Sequence, residues 1–405
     1  MTVTRTGVGA LPVAIIGAGV GGLALAVMLR RQGFGVSLFE ARSREALSEG
    51  AFLTLAPNGI NALRALGLAQ RITALGIPTL GFEITNAAGR RLVHLDERQS
   101  MREAGAESIT IRRSDLLGAL LDEAQALRAD IRFGHALADI ENQPEGVRLT
   151  FGNGVRVDAG WLAGCDGVWS RVRRPCFPAS PDPVYTGLTG TGGTIDVPSV
   201  APTDGFMHMV FGEQAFFGYM KAADGPVFWF DSFPLSEDAA TARPEPAQLA
   251  ATVRQLHAGD PGTIREIVGA IAEVPRAYPV FDMPHLPQWH TGNVVVLGDA
   301  AHAVSPHAGQ GASMAIEDAV VLAACLGATP SPSQAFAAFQ ALRRDRVEHI
   351  VKISRRIGTQ KQAKGRLALF LRNLILPFFV RFGARTTRAI TLYRADLAPL
   401  EKPSI

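Results

Sequence analysis

The short apolar run Val13 to Ile16 leads directly into Gly17-Ala18-Gly19-Val20-Gly21-Gly22, followed by an Ala/Leu-rich stretch ending near Arg31. A GxGxxG between a strand and a helix permits few folds, because each glycine meets a separate steric demand. Gly17 allows the tight turn, Gly19 removes the side chain that would block a pyrophosphate, and Gly22 lets the helix approach the sheet. The helix start then offers unpaired N–H groups to the anion. The spacing predicts a helix from about Gly21 to Arg31 and a second strand over Gly35 to Phe39, giving a βαβ opening. Glu40 ends that strand, where a carboxylate accepts both hydroxyls of an adenosine ribose and repels a 2′-phosphate. The site reads as FAD or NAD, and these features alone do not separate the two.

Further along, Pro57 and Asn58 start a helix with Ile60, Leu63 and Leu66 at its apolar positions and Gly67 at its end. Ser114 reads as the N-cap of another helix, with Leu116, Leu117, Leu120 and Leu121 as its buried stripe. Gly152-Asn153-Gly154 signals a hairpin leading into Trp161 to Cys165. Beyond about Pro181, the runs Phe206 to Phe211, Ala215 to Met220 and Val227 to Phe230 read as antiparallel strands. After Trp289 the α/β texture returns, and beyond Pro330 the chain reads as helical. The fold class expected is α/β: a Rossmann-type FAD-binding domain, an inserted β-rich substrate domain and a helical C-terminus. The expected boundaries are residues 1–78, 106–180 and 281–330 for the first, 79–105 and 181–280 for the second, and 331–405 for the third.

The 405 residues carry 40 Lys and Arg against 37 Asp and Glu, without a basic block, which argues against nucleic acid as a partner. The three cysteines, Cys165, Cys176 and Cys325, form no CxxC and no Cys/His cluster. Neither a metal site nor a disulfide framework is expected, and a reducing cytoplasm fits. The N-terminal MTVTRTGVGALP lacks the apolar core of a secretion signal. The longest apolar stretches noted, Leu374 to Val380 and the strand near Val294 to Leu297, fall short of the roughly twenty residues a membrane span needs, so no integral membrane segment is expected.

Two further segments separate FAD from NAD: GCDGVWSRVR at 164–173 and GDAAHAVSPHAGQGASMAIEDA at 298–319. With the GxGxxG, and in the same order over roughly the first 320 residues, they make the chain resemble the single-component aromatic hydroxylases, the FAD-dependent monooxygenases of the p-hydroxybenzoate hydroxylase type. The resemblance implies that Asp299 meets the FAD ribityl chain and that Gly309, Gln310, Gly311 and Ala312 approach the isoalloxazine. It further implies that Asp166 and Arg173 take part in FAD and NAD(P)H handling, that Arg113 reaches the cofactor, and that Arg42 and Ala51 contact the adenosine half. Arg112 leaves a one-residue ambiguity beside Arg113. The implied chemistry is reduction of FAD by NADH or NADPH, addition of O2 at flavin C4a, and transfer of the distal oxygen of that hydroperoxide to an electron-rich substrate carbon. His302 reads as packing behind the flavin in preference to a proton shuttle, and His307 as a residue that can face the substrate. A single GxGxxG leaves no dedicated nicotinamide domain, so NAD(P)H is expected to bind transiently.

Tyr219 and His208 are the candidate catalytic bases, weighed against simple sheet filling. Alternate members of Phe206, Met207, Met209, Phe211, Phe216, Phe217, Phe228, Trp229 and Phe230 are expected to line an apolar cavity for a hydrophobic substrate, the rest being core. Residues 365–394 interleave Leu, Ile and Phe with Arg366, Arg372, Arg381, Arg385, Arg388 and Arg394. This stretch reads first as docked on the FAD domain, with weak contact to a membrane surface as the alternative, and Pro377 is expected to interrupt its helix. Monomer and homodimer both fit. The competing functions are a flavin epoxidase of an alkene, an isoprenoid double-bond reductase, a flavin halogenase, for which 228–234 is a loose match, and a non-catalytic FAD-binding protein.

Overall fold

Val13–Ile16, buried at all four positions, lies inside a six-stranded sheet in the computed structural model, which describes residues 11–395 apart from 243 and 364. The segments 1–10 and 396–405 lie outside the described residues, and with them most of the N-terminal MTVTRTGVGALP and the end of the expected C-terminal region. The strand order is His290–Thr291, Val294–Val296, Trp161–Gly164, Val13–Ile16, Val36–Phe39, Asp130–Arg132. All neighbours are parallel except the first pair. Helices cover such a sheet on both faces, so its four central strands are buried at every position without alternation. Helix Val20–Arg31 packs on it and is flanked by Arg113–Ala126 and Gly311–Ala328. Gly21 faces Ala315, where an added Cβ would stand 3.5 Å from the alanine methyl, so two small residues bring these helices together.

Gly152-Asn153-Gly154 turns the chain between Gly146–Phe151 and Arg156–Ala159, where Asn153 Oδ1 accepts from the Val155 amide at 3.1 Å. Ser114 is not a cap: the helix begins at Arg113, and the Ser114 hydroxyl turns to Asp115 Oδ1.

A second sheet has seven strands in the order Tyr278–Asp282, Val184–Ile195, Val227–Pro234, Phe216–Lys221, Phe206–Phe211, Gly81–Asn86, Arg91–Asp96. Its pairs are antiparallel except Phe206–Phe211 with Gly81–Asn86. Register sets its faces. Met209 pairs with Gly218 and Gly218 with Phe230, while one step along His208 pairs with Tyr219 and Tyr219 with Trp229. The face carrying Phe217, Tyr219 and Trp229 packs against Leu249, Val253, Ile264 and Ile267 from helices Pro246–Leu256 and Gly262–Ala270. The face carrying Met209, Phe216 and Phe230 turns toward a cavity beside the first sheet.

Two long helices complete the described chain. Pro332–Gln360 starts on Ser331, whose Oγ accepts from the Gln334 amide at 3.4 Å. Arg366–Thr391 runs through Pro377 without ending there, so the expected interruption does not occur. Gly311–Ala328 is the one described single helix long and apolar enough to cross a bilayer by length and composition; it is mostly buried, packed between Val20–Arg31 and Pro332–Gln360.

Candidate active site

The glycine turn is shaped by three different requirements. Gly17 has φ +105°, and a Cβ there would lie 2.5 Å from the Cys165 carbonyl oxygen. A Cβ on Gly22 would stand 1.9 Å from the Gly17 oxygen, so the helix sits as close as a bare backbone allows. Gly19 differs: nothing lies within 4 Å of its absent Cβ, and it opens on the cavity. Glu40 closes the turn by accepting from the Ala18 amide at 2.8 Å, while its other oxygen takes the Arg42 amide at 3.0 Å. Arg42, Ala51 and Arg113 line the same end of the cavity. Arg113 donates to the Glu49 carbonyl at 3.1 Å, and burial followed by the charge of Arg42 lowers its pKa. Arg112 is exposed and does not reach the cavity wall, which leaves Arg113 as the inward arginine.

The second glycine segment lies across from the first. Gly298, at φ +58°, turns the chain so that Asp299 faces the cavity, its carboxylate without a hydrogen bond among the described residues. Enclosure by the surrounding protein raises its pKa. Gly309, at φ +61°, with Gln310, Gly311 and Ala312, forms the adjoining wall at the start of helix Gly311–Ala328, whose first amides lack intrahelical partners. Gln310 is held from behind: Asn58 Nδ2 donates to its Oε1 at 2.9 Å and to Glu317 Oε1 at 2.6 Å. Glu317 and Asp318 are both buried and meet Arg343, with Arg346 also on Glu317. Sequence reasoning missed this cluster, although two adjacent acids in an otherwise apolar helix were the available signal. His302 is off the wall, its Nε2 donating to Asp318 at 2.5 Å.

Asp166 reaches the cavity, but its oxygens accept from Ser170 Oγ at 2.5 Å and from the amides of Arg171 and Val172 at 2.7 and 3.1 Å. It shapes the loop as an internal cap. Arg173 corrects the expectation of cofactor handling: it is 1% exposed and donates to the carbonyls of Ala300 and Val168, both at 2.7 Å, tying two loops together away from the cavity. Arg171, two residues earlier, takes the place on the wall.

Tyr219 and His208 are also corrected. Both lie on the sheet face opposite the cavity, with Tyr219 Oη and His208 Nδ1 3.3 Å apart, and neither touches the wall. Of the nine aromatic and methionine residues singled out, Met207, Met209, Phe211, Phe216 and Phe230 line the cavity, and the other four do not. Polar groups unrecognised in the sequence join them. Glu97, between the edge strand Arg91–Asp96 and helix Arg98–Ala104, also lines the cavity, and burial pushes its carboxyl up to about 7. Lys361, just past helix Pro332–Gln360, has Nζ 3.5 Å from the Phe216 ring centre, and burial brings its ammonium down to about 7. His307 lines the wall as expected, its pKa lowered to about 2 by burial and then by Lys361.

The wall residues from both glycine segments and from the sheet border one continuous cavity of ≈1520 Å³, above the roughly 300–1,000 Å³ of a typical single-ligand pocket. The open space at Gly19, the free carboxylate of Asp299 and the inward Arg113 fit a dinucleotide carrying a pyrophosphate and a polyol chain, with volume left beside the apolar sheet face. The chain belongs to the FAD binding domain family, whose model matches residues 10–354. It is 31% identical over 382 residues, 93% of this chain and 97% of the relative, to an aurachin C monooxygenase/isomerase of Stigmatella aurantiaca. It is 32% identical over 355 residues, 86% and 87% of the two chains, to a 3-amino-4-hydroxybenzoate 2-monooxygenase of Streptomyces cremeus. In fold it is similar to Klebsiella pneumoniae HpxO complexed with FAD and uric acid, at TM-score 0.82 and 24% identity, covering 97% of each chain. The protein is an FAD-dependent monooxygenase, an oxidoreductase using NAD(P)H and O2.

Proposed function

We propose that this monooxygenase hydroxylates an aromatic or similarly electron-rich, hydrophobic small molecule lying between the seven-stranded sheet and residues 309–312. The observation that carries this reading is the register-defined face of Met207, Met209, Phe211, Phe216 and Phe230, turned into the cavity that also holds the glycine turn and Asp299. The relatives named as acting on an aminohydroxybenzoate or urate agree with an electron-rich ring. The names of the relatives favour oxygen transfer over the double-bond reductase.

Bound FAD supplies hydride acceptance from NAD(P)H and activation of O2. In this reading Gly17, Gly19 and Gly22 admit its pyrophosphate, and Glu40, Arg42, Ala51 and Arg113 hold the adenosine half. Asp299 accepts from a ribityl hydroxyl. Gly309, Gln310, Gly311 and Ala312 direct backbone N–H groups at the ring, where they stabilise negative charge. Asp166 acts indirectly by holding its loop. The apolar wall excludes water and fixes the substrate. The division into an FAD domain, a substrate domain of residues 79–105 and 181–280, and a helical region from 331 belongs to the same proposal, supported by which strands share a sheet.

The helix Arg366–Thr391 contributes Leu376, Phe379 and Thr387 to the cavity wall while Leu367, Phe370, Leu371 and Leu374 stay exposed away from it. We propose a cytoplasmic enzyme, monomer or homodimer, in which this ridge makes any weak contact with a membrane surface; co-sedimentation with anionic vesicles tests that contact. The main proposal is tested by following NADH and NADPH oxidation with oxygen uptake across phenols, indoles, quinolones and polyenes. Stimulation by an aromatic with coupled oxygen uptake is expected. Turnover that reduces a substrate without consuming oxygen would refute it.

A further inference from the structure

Lys361 is the cationic side chain that sits among the aromatic residues of the cavity wall. The residue is 8% exposed, and Nζ has neither an ion pair nor a hydrogen bond among the described residues. Its contact is the face of Phe216, a weak substitute for the water an ammonium loses on burial. Ser232 pairs directly with Phe216 across the sheet, lines the same cavity, and its buried Oγ lacks a partner. Gly358, one helical turn before Lys361, touches His307, whose segment leads into residues 309–312. Lys361 and Ser232 thus place two unused polar groups near the expected position of the flavin ring, beside the apolar sheet face and with Asp231 and His307 also on the wall. A buried polar group without a partner is costly, and a ligand able to satisfy it gains specificity from doing so.

Resting on the reading of this cavity as the substrate site, we propose that Lys361 receives an acidic oxygen of the substrate, with the Ser232 hydroxyl rotating to assist. The substrate is then an apolar ring system carrying one phenolic, enolic or carboxylic oxygen. If the oxygen arrives ionised, the ammonium donates to it. If it arrives as O–H with the lysine neutral, that bond breaks, the proton passes to Nζ, and the same ion pair results. For a phenol the outcome is a ring made more nucleophilic at the carbons to be oxygenated. The role is one of binding and orientation with a direct substrate contact, and it replaces the part first assigned to Tyr219 and His208.

The test uses the FAD-loaded protein and three probes, 1-naphthol, 1-naphthoate and 1-methoxynaphthalene, with binding read by equilibrium dialysis. Unchanged protein is expected to hold naphthol or naphthoate about tenfold or more tighter than the ether, as a charge-assisted hydrogen bond in a dry site warrants. Which of the two wins identifies the hydroxyl or the carboxylate as the preferred oxygen. In Lys361→Met the preference is expected to vanish while the affinity for the ether is retained, and in Lys361→Arg it is expected to persist. Should Lys361→Met fail to fold, Ser232→Ala is expected to narrow the preference. An equal preference in Lys361→Met, no preference in unchanged protein, or no binding of any probe to protein that retains FAD would overturn the proposal. A protein that retains FAD and consumes oxygen without the preference overturns this inference alone, whereas one that cannot bind FAD overturns the reading beneath it.

Discussion

Asp318 Oδ2 accepts from His302 Nε2 at 2.5 Å and from the Gly298 amide at 2.9 Å, so one carboxylate on helix Gly311–Ala328 fixes both ends of the turn that presents Asp299. Its other oxygen takes Arg343 Nε at 2.7 Å in a fully buried pair. Burial alone would raise the Asp318 pKa, but the charges of His302 and Arg343 outweigh it and hold it at about 2, below the ordinary 3.8. A carboxyl depressed in the folded state gives stability that is complete above the unfolded pKa and lost as pH falls through the folded one. Unfolding midpoints are therefore expected to drop as pH goes from about 4 toward 2, with a smaller drop in Asp318→Asn. At neutral pH that variant is expected to lose about 3 kcal/mol or more in denaturant melts, because Arg343 is left partly unpaired.

Glu97 carries the opposite sign. Burial raises its folded pKa from 4.5 to about 7, so the folded protein holds the proton more tightly than the unfolded chain and loses stability as pH rises through that window. Glu97→Gln is expected to raise the melting temperature at pH 8 and leave it nearly unchanged at pH 4. Equal shifts at both values would show that the side chain meets water and not the cavity.

The glycines separate folding from binding. Gly22→Ala brings a methyl to 1.9 Å from the Gly17 oxygen, so helix Val20–Arg31 must move, and loss of soluble, FAD-retaining protein is expected. Gly19→Ala meets no protein atom within 4 Å, so normal folding with FAD affinity weakened about tenfold or more is expected from reconstitution titrations. Equal FAD affinity in Gly19→Ala would place the pyrophosphate elsewhere.

Asp299→Ala tests the polyol contact. With its carboxylate free of protein partners and open to the cavity, the variant is expected to keep its fold and lose FAD on dilution or dialysis. Full flavin occupancy with normal turnover would remove Asp299 from the site.

The local signals were legible because their spacing is itself the physics. GxGxxG with Glu40 encodes a turn, a helix start and an acid within two dozen residues, and the segments at 164–173 and 298–319 carried the family. The face of the inserted sheet was not legible. Phe216, Phe217, Gly218, Tyr219 and Met220 are buried at every position because the sheet is covered on both sides, so no alternation marks which parity meets the substrate. Tyr219 and His208 were chosen for their chemistry, and register put them on the other face. Lys361 left no sequence mark, since its neighbour Phe216 lies far off along the chain and only the packing of helix Pro332–Gln360 brings them together. Arg173 was read as a cofactor contact from its motif, yet its guanidinium is turned to two loop carbonyls, those of Ala300 and Val168.

The most direct test of the central claim is incubation of the FAD-loaded protein with NADH or NADPH, isotopically heavy dioxygen and the aromatic compound that most stimulates nicotinamide oxidation, followed by mass spectrometry of the product. One heavy oxygen atom in the product, the other leaving as water, is the expected result. A product whose new oxygen derives from solvent, or one formed without oxygen incorporation, would contradict the monooxygenase assignment.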